Sequence, residues 1–416
     1  MVPTADYDAV EKDHGALKVF EPWHKRIVRH GKLYVLAALL LPMLVACSSV
    51  GPSVSDSLPP DLRQGGVEAP WSVPEPAKHR ERLVKLLPPA VKDKVGWASD
   101  MQLVFSALEI PPATSTYCAV IAVTDQETNF QVDPAVPGLP GIVRAELERR
   151  AGKFGIPMLL VNAALLKDSP SGASYQARID ALKTERQLSD LFDDMITELP
   201  FGRDWLADYN PVRTAGPMQV SIRFAEQRAA ETPYPYTKGK RVRDDVFSRR
   251  GGLYYGSAIL LDYPAPYTDV RYRFADFNAG RYSSRNAAFQ TALAKLSDAA
   301  IALDGDLLRY DADGEALPEP SGVERALRAL GRQLKLSDEQ IRRDLLQEKT
   351  AGFSETALFE RLFPLAEAAA GKTLPRQTMP KIALKSPKIS RKLSTEWFAE
   401  RVHTRFRTCL GRDTTD

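Results

Sequence analysis

Apolar positions recur at helical spacing along most of the chain, and prolines break the pattern into segments. Leu83, Leu86 and Leu87 predict a helix that stops near Pro88-Pro89, and Trp97 to Leu108 predicts another ahead of Pro111-Pro112. From Cys118 to Val123 the chain is apolar without interruption, the mark of a helix buried on every side. The polar end of that helix carries Asp125, Gln126, Glu127 and Asn129, and Pro134 limits how far it continues. Residues 135–210 read as a charged, mostly helical insertion, with helices expected over 142–152, 157–166 and 175–199 and no sign of catalysis. Met218, Val220, Ile222 and Phe224 alternate with polar neighbours, which predicts a short extended segment before a helix starting near Ala225. Gly252 to Leu261 suits a helix packed closely through its small residues, residues 286–303 suit an amphipathic helix, and further helices run to about Ala370.

Composition adds little to this picture, and charge excludes one class of partner. The 416 residues carry a net charge of +3, which becomes +2 once the six Lys/Arg and five Asp/Glu of residues 1–46 are removed. No nucleic-acid partner is implied. The five histidines are scattered, without ligand spacing to Cys or carboxylates, so no metal or cofactor is expected.

The N-terminus carries a targeting pattern. Lys25, Arg26, Arg29 and Lys32 precede an uncharged run from Leu33 to Ala46, which ends at Leu44-Val45-Ala46-Cys47. That run is shorter than the roughly 20 residues a membrane-crossing helix needs, and it reads as a signal peptide. The polar residues ahead of it suggest a true start near Val28. The Leu-Val-Ala-Cys string resembles a bacterial lipobox, which implies lipid acylation of Cys47; Ser48 in the next position resembles the outer-membrane sorting signal. Residues 47–78 then form a Ser/Pro/Gly-rich tether. In an oxidising compartment, Cys118 and Cys409 either pair or remain two buried thiols. From Lys381 onward, basic residues interleave with Ile, Leu, Trp and Phe, a pattern that fits either an anionic-polymer surface or the solvated face of a packed terminal helix.

Three separated strings carry the candidate chemistry: Gln126-Glu127-Thr128-Asn129-Phe130, Gly216-Pro217-Met218-Gln219 and Asp276-Phe277-Asn278-Ala279-Gly280. In this order they resemble the signature of the lysozyme-like lytic transglycosylases, a lone glutamate followed by Gly-Leu-Met-Gln and then Ala-Tyr-Asn-Ala-Gly strings. The resemblance implies a mainly α, lysozyme-like core with a small β element, a helical insertion and a helical C-terminal extension. It implies Glu127 as the single catalytic acid and base, with Thr128, Met218, Gln219, Tyr255, Phe277 and Asn278 lining the glycan site. Tyr255 lies on the Gly252–Leu261 string, which matches a helix that the family places between its second and third motifs. Independently of family, a carboxyl at the end of an apolar helix has its protonated form favoured by burial and by the negative end of the helix dipole. Amide side chains such as those of Gln219 and Asn278 can both donate to and accept from sugar hydroxyls.

Thr128 stands where the family usually has serine, Pro217 where it has leucine, and Phe277 where it has a tyrosine hydroxyl; Tyr254, Tyr255, Tyr272 and Tyr282 are the candidate replacements for that hydroxyl. The 89 positions from Glu127 to Gly216 exceed the family's usual spacing. Two further strings, Asn210-Pro211-Val212-Arg213-Thr214-Ala215 and Ser386-Pro387-Lys388-Ile389, resemble the YaiW-type outer-membrane lipoproteins. The expected organisation is a signal peptide over 1–46, a lipidated tether over 47–78, a lysozyme-like domain over 79–310 with its insertion at 135–210, and a helical extension with a basic tail over 311–416. The expected role is cleavage of peptidoglycan glycan strands from an outer-membrane lipid anchor. The alternative is an inactive envelope lipoprotein that binds glycan or a transporter or other envelope protein.

Overall fold

The computed structural model describes residues 76–413, apart from 233, 237, 238, 240, 312, 313 and 385–392. The signal peptide, Cys47, most of the tether and the Ser386–Ile389 string therefore lie outside the described residues. The first described helix is Pro76–Leu86, and a proline is tolerated in a first turn, where its missing N–H costs nothing.

The fold is mainly α. Its first apolar core gathers the helices Pro76–Leu86, Lys94–Ala107, Thr114–Thr128, Arg249–Leu261 and Arg271–Ala279, together with the terminal helix Thr395–Asp413. A second core forms around Phe289 of the Ser283–Leu293 helix, whose ring meets Phe353 and Phe359 at centroid distances of 5.1 and 5.9 Å. Along the chain, the first cluster reaches Phe277 and the second begins at Ala288, and the helix Thr395–Asp413 returns to the first core.

That return is held along its length. Thr114 Oγ1 donates to Asp413 at 2.7 Å, Cys118 is disulfide-bonded to Cys409, and Arg405 pairs with Asp125 at 3.0 Å. Ascending positions on one helix meet descending positions on the other, so the two run antiparallel. The uniformly apolar Cys118–Val123 segment is thereby covered from a distant part of the chain.

The insertion departs from expectation at one helix. The segment expected as one helix over 175–199 is two, Tyr175–Asp180 and Glu185–Thr197, because Thr184 and Gln187 form a capping box that starts a new helix. The extended segment near Met218 shrinks to a minimal hairpin, Thr214–Ala215 paired antiparallel with Val220–Ser221. Ser221 then caps the Ile222–Glu231 helix by accepting from the Phe224 N–H at 3.3 Å, so the strand has no room to continue.

Candidate functional site

Glu127 sits in the last turn of the Thr114–Thr128 helix, which is closed by Asn129 in the left-handed conformation at φ 50°. Its side chain is 0% exposed, and neither carboxylate oxygen has a hydrogen-bond partner among the described residues. Burial pushes its carboxyl well above the ordinary glutamate value. An ionised carboxylate in this position would lie in a dry interior with no compensating donor among the described residues, so burial favours the neutral acid. Asp125, two residues earlier, faces the terminal helix through its pair with Arg405 and makes no second acid beside Glu127.

The second string is a tight turn at the tip of the hairpin. Gly216 adopts φ 74°, and a Cβ there would lie 2.1 Å from the Val246 carbonyl, which makes glycine obligatory. The Gln219 amide is turned inward on its own loop: Nε2 donates to the Gly216 carbonyl at 3.3 Å, and Oε1 accepts from Thr214 at 3.3 Å. Pro217 and Met218 project the other way, onto the face of the Arg249–Leu261 helix where Gly252 and Gly256 lie four residues apart. A Cβ at Gly252 would come within 2.4 Å of Pro217 Cδ, and one at Gly256 within 2.4 Å of Met218 Sδ. The first string joins this assembly directly, because Thr128 Oγ1 donates to the Pro217 carbonyl at 2.8 Å. Thr128, Pro217, Met218 and the small-residue helix thus meet at one place.

On that helix, Tyr254 and Tyr255 enter a four-tyrosine cluster with Tyr234 and Tyr236; the Tyr255 ring stacks on Tyr234 at 5.5 Å. The Tyr255 and Tyr236 hydroxyls and that of Ser257 are buried without hydrogen-bond partners among the described residues. Desolvation raises the Tyr255 phenol above its usual value, so it stays a neutral potential donor.

The third string lies on the Arg271–Ala279 helix, which ends where Gly280 adopts φ 109°. Phe277 is buried in the same apolar cluster as Met218 and Tyr255. Asn278 is committed on one side: Oδ1 accepts from Thr395 at 3.0 Å, at the start of the terminal helix, while Nδ2 is buried and has no partner among the described residues. The residue that organises the string is Asp276, which sequence reasoning passed over. Its carboxylate accepts from the Tyr263 hydroxyl at 3.1 Å, the Tyr267 hydroxyl at 2.5 Å, and the backbone N–H groups of Tyr282 and Ser284 at 2.8 and 2.7 Å. The available signal was an acid inside a candidate motif, flanked on both sides by tyrosines.

Two observations bear on these residues. All are buried: none of Glu127, Thr128, Met218, Gln219, Tyr255, Phe277 and Asn278 is more than 5% exposed. Gln219 uses its amide to brace its own turn, which leaves less of it to meet a sugar.

Glu348 makes the useful contrast. It is equally buried, and desolvation, reinforced by nearby Asp306, pushes its carboxyl up to about 7. Its oxygens, however, accept from the backbone N–H groups of Leu307 and Leu308 at 2.6 and 3.2 Å and from the Tyr310 hydroxyl. That carboxyl pins a loop. The Glu127 carboxyl pins nothing, and Gln126 Oε1, Tyr255 OH, Ser257 Oγ and Asn278 Nδ2 share its lack of partners. Buried polar groups without partners are rare in native proteins, and each calls for an explanation such as a ligand, a water or a catalytic role.

Comparison with known proteins supplies a family. Residues 90–412 match the family described as "Protein of unknown function (DUF1615)", and the chain belongs to it. It is 46% identical over 370 residues to the "Uncharacterized protein YaiW" of Escherichia coli (strain K12), an alignment that covers 87% of this chain and 99% of that protein. No solved structure matches the chain significantly.

Proposed function

We propose that this DUF1615 member is an exported lipoprotein with a lysozyme-like core, acting on peptidoglycan glycan strands with Glu127 as its single acid and base. The observation that carries the reading is the buried carboxyl of Glu127, raised well above the ordinary glutamate value and without a partner among the described residues, next in the chain to Thr128, whose hydroxyl joins the first string to the second. A carboxyl kept protonated at neutral pH is what leaving-group protonation requires. Glu127 gives its proton to the glycosidic oxygen as the C1–O bond breaks. The substrate's own 6-hydroxyl then attacks C1 and returns a proton to the carboxylate, which closes a 1,6-anhydro ring and restores the acid. No second carboxylate is needed, in contrast to the usual pair in glycoside hydrolysis.

The burial of every site residue favours a second reading, in which the closed site no longer cleaves and the protein binds glycan or an envelope partner. Purified sacculi treated with the full chain and with Glu127→Gln separate the two. Anhydro-muropeptides released by the wild type alone, read by mass spectrometry, support catalysis. Sacculus binding without release by either protein supports the second reading. Release of reducing ends would sink the single-acid mechanism.

A further inference from the structure

Thr395 begins the terminal helix, 117 positions beyond Asn278, yet its side chain reaches the third string. The chain is held where it arrives there. Ala383–Leu384 and Leu393–Ser394 pair antiparallel, with Leu384 opposite Leu393. Ser394 then accepts from the Trp397 N–H at 3.1 Å, and the Thr395 N–H donates to the Ile382 carbonyl at 3.1 Å. With its backbone fixed on both sides, Thr395 is fully buried, and its hydroxyl donates to Asn278 Oδ1 at 3.0 Å.

A side-chain amide has an acceptor at one end and two donors at the other, and a hydroxyl can engage either end. The hydroxyl proton settles which end it takes here. Thr395 Oγ1 has no acceptor other than Asn278 Oδ1 among the described residues. Turning the amide over would let Nδ2 donate to Thr395 but would strand both the hydroxyl proton and Oδ1, two buried losses in place of one. Thr395 therefore holds the amide with Nδ2 turned away from it. Asn278 is 2% exposed, and Nδ2 has no partner among the described residues. A buried donor left over calls for a ligand atom that accepts. A carbonyl oxygen suits it best, because a ligand hydroxyl would bring its own proton into the interior, and Asn278 Oδ1 is already taken. On a glycan of N-acetylated sugars that atom is the acetamido oxygen; a protonated free amino group only donates and cannot replace it.

We propose that Thr395 is a positioning residue: by holding Oδ1 it presents Asn278 Nδ2 to an acetamido carbonyl of the bound glycan, which makes the start of the terminal helix part of the site. The inference rests on the glycan reading of these strings, whether the site cleaves or only binds. The test uses the full chain carrying Glu127→Gln, so that no strand is cut, titrated calorimetrically with peptide-free glycan strands, native or chemically N-deacetylated. Thr395→Val is expected to weaken binding of native strands by about five- to tenfold, and Thr395→Ser to stay within about twofold of the parent. Thr395→Ala is a second hydroxyl-free variant with the same expectation as Thr395→Val, and thermal melts select the variants that are folded at the titration temperature. Deacetylated strands should bind weakly and respond little to any of these changes. In an Asn278→Ala background, Thr395→Val should bring no further loss. Unchanged affinity in the hydroxyl-free variants, an equal loss with both kinds of strand, or a full loss that persists without Asn278 overturns the proposal. If neither the parent nor the wild type binds either strand, the glycan reading itself fails and the proposal falls with it.

Discussion

The Thr128 hydroxyl donates to the Pro217 carbonyl at 2.8 Å, and this bond closes the 89 positions between the first and second strings. The same oxygen lies 3.3 Å from the Thr124 carbonyl, but one hydroxyl has one proton, and the shorter contact takes it. Thr128→Val keeps the shape and leaves the Pro217 carbonyl without its donor. The expected cost is about 1–2 kcal/mol in chemical denaturation, whereas Thr128→Ser should remain within about 0.5 kcal/mol of wild type. Equal losses in the two variants would show that the methyl group, not the hydroxyl, holds the strings together.

Glu127 sets a pH dependence. Its folded-state pKa is raised, so its contribution is least unfavourable below the unfolded value near 4.5, and stability is lost as pH rises toward the folded value. Glu127→Gln should therefore raise the melting temperature at pH 8 and leave it nearly unchanged at pH 4. A variant less stable than wild type at pH 8 would point to a hydrogen-bonded, ionised Glu127.

Glu348 acts in the same direction through different chemistry. With its carboxyl pushed up to about 7 in the folded protein against an ordinary value of 4.5, roughly 3 kcal/mol of stability present below pH 4.5 is lost by pH 8. Carbon-13 NMR of labelled glutamate should show one buried carboxyl titrating near neutrality. If no glutamate titrates above pH 6, this prediction fails.

The small-residue face is expected to be intolerant. Gly256→Ala places a methyl 2.4 Å from Met218 Sδ and should cost about 1–3 kcal/mol. Met218→Ala alone should cost about 2–5 kcal/mol through the cavity it opens. The double variant should be more stable than the sum of the two losses, with a coupling of about 1 kcal/mol or more in a double-mutant cycle. Strict additivity would mean that Met218 does not lie over Gly256.

The Cys118–Cys409 disulfide spans 291 positions and joins the Glu127 helix to the end of the chain. Replacing both cysteines by serine should destabilise the protein by about 2–5 kcal/mol, chiefly by freeing the unfolded chain. Mass spectrometry without reductant should find no free thiol at either position; two alkylated cysteines would count against the bond.

Particular residues show why some of this was legible in the sequence and some was not. The Thr114–Thr128 helix and the place of Glu127 in its last turn follow from an unbroken apolar run and a polar end, both local properties. The close packing of Gly252 and Gly256 was likewise written in the spacing of small residues, though not its partners, Pro217 and Met218. The split at Thr184 was missed because a capping box competes with a helical pattern that continues across it. The role of Asp276 was missed because its four donors come from residues 263 to 284, and only folding brings them to one carboxylate.

By itself, the sequence determined a mainly α chain and which segments are apolar throughout, since periodicity and burial of a stripe are set within a few turns. It also supplied a lone glutamate at a helix end. Only the tertiary structure decided that the glutamate is closed off from solvent and unpaired, that Gln219 serves its own turn, and that the last helix covers the first string's helix. Those outcomes depend on contacts between positions tens to hundreds of residues apart, and neither periodicity nor residue type fixes which distant groups will meet.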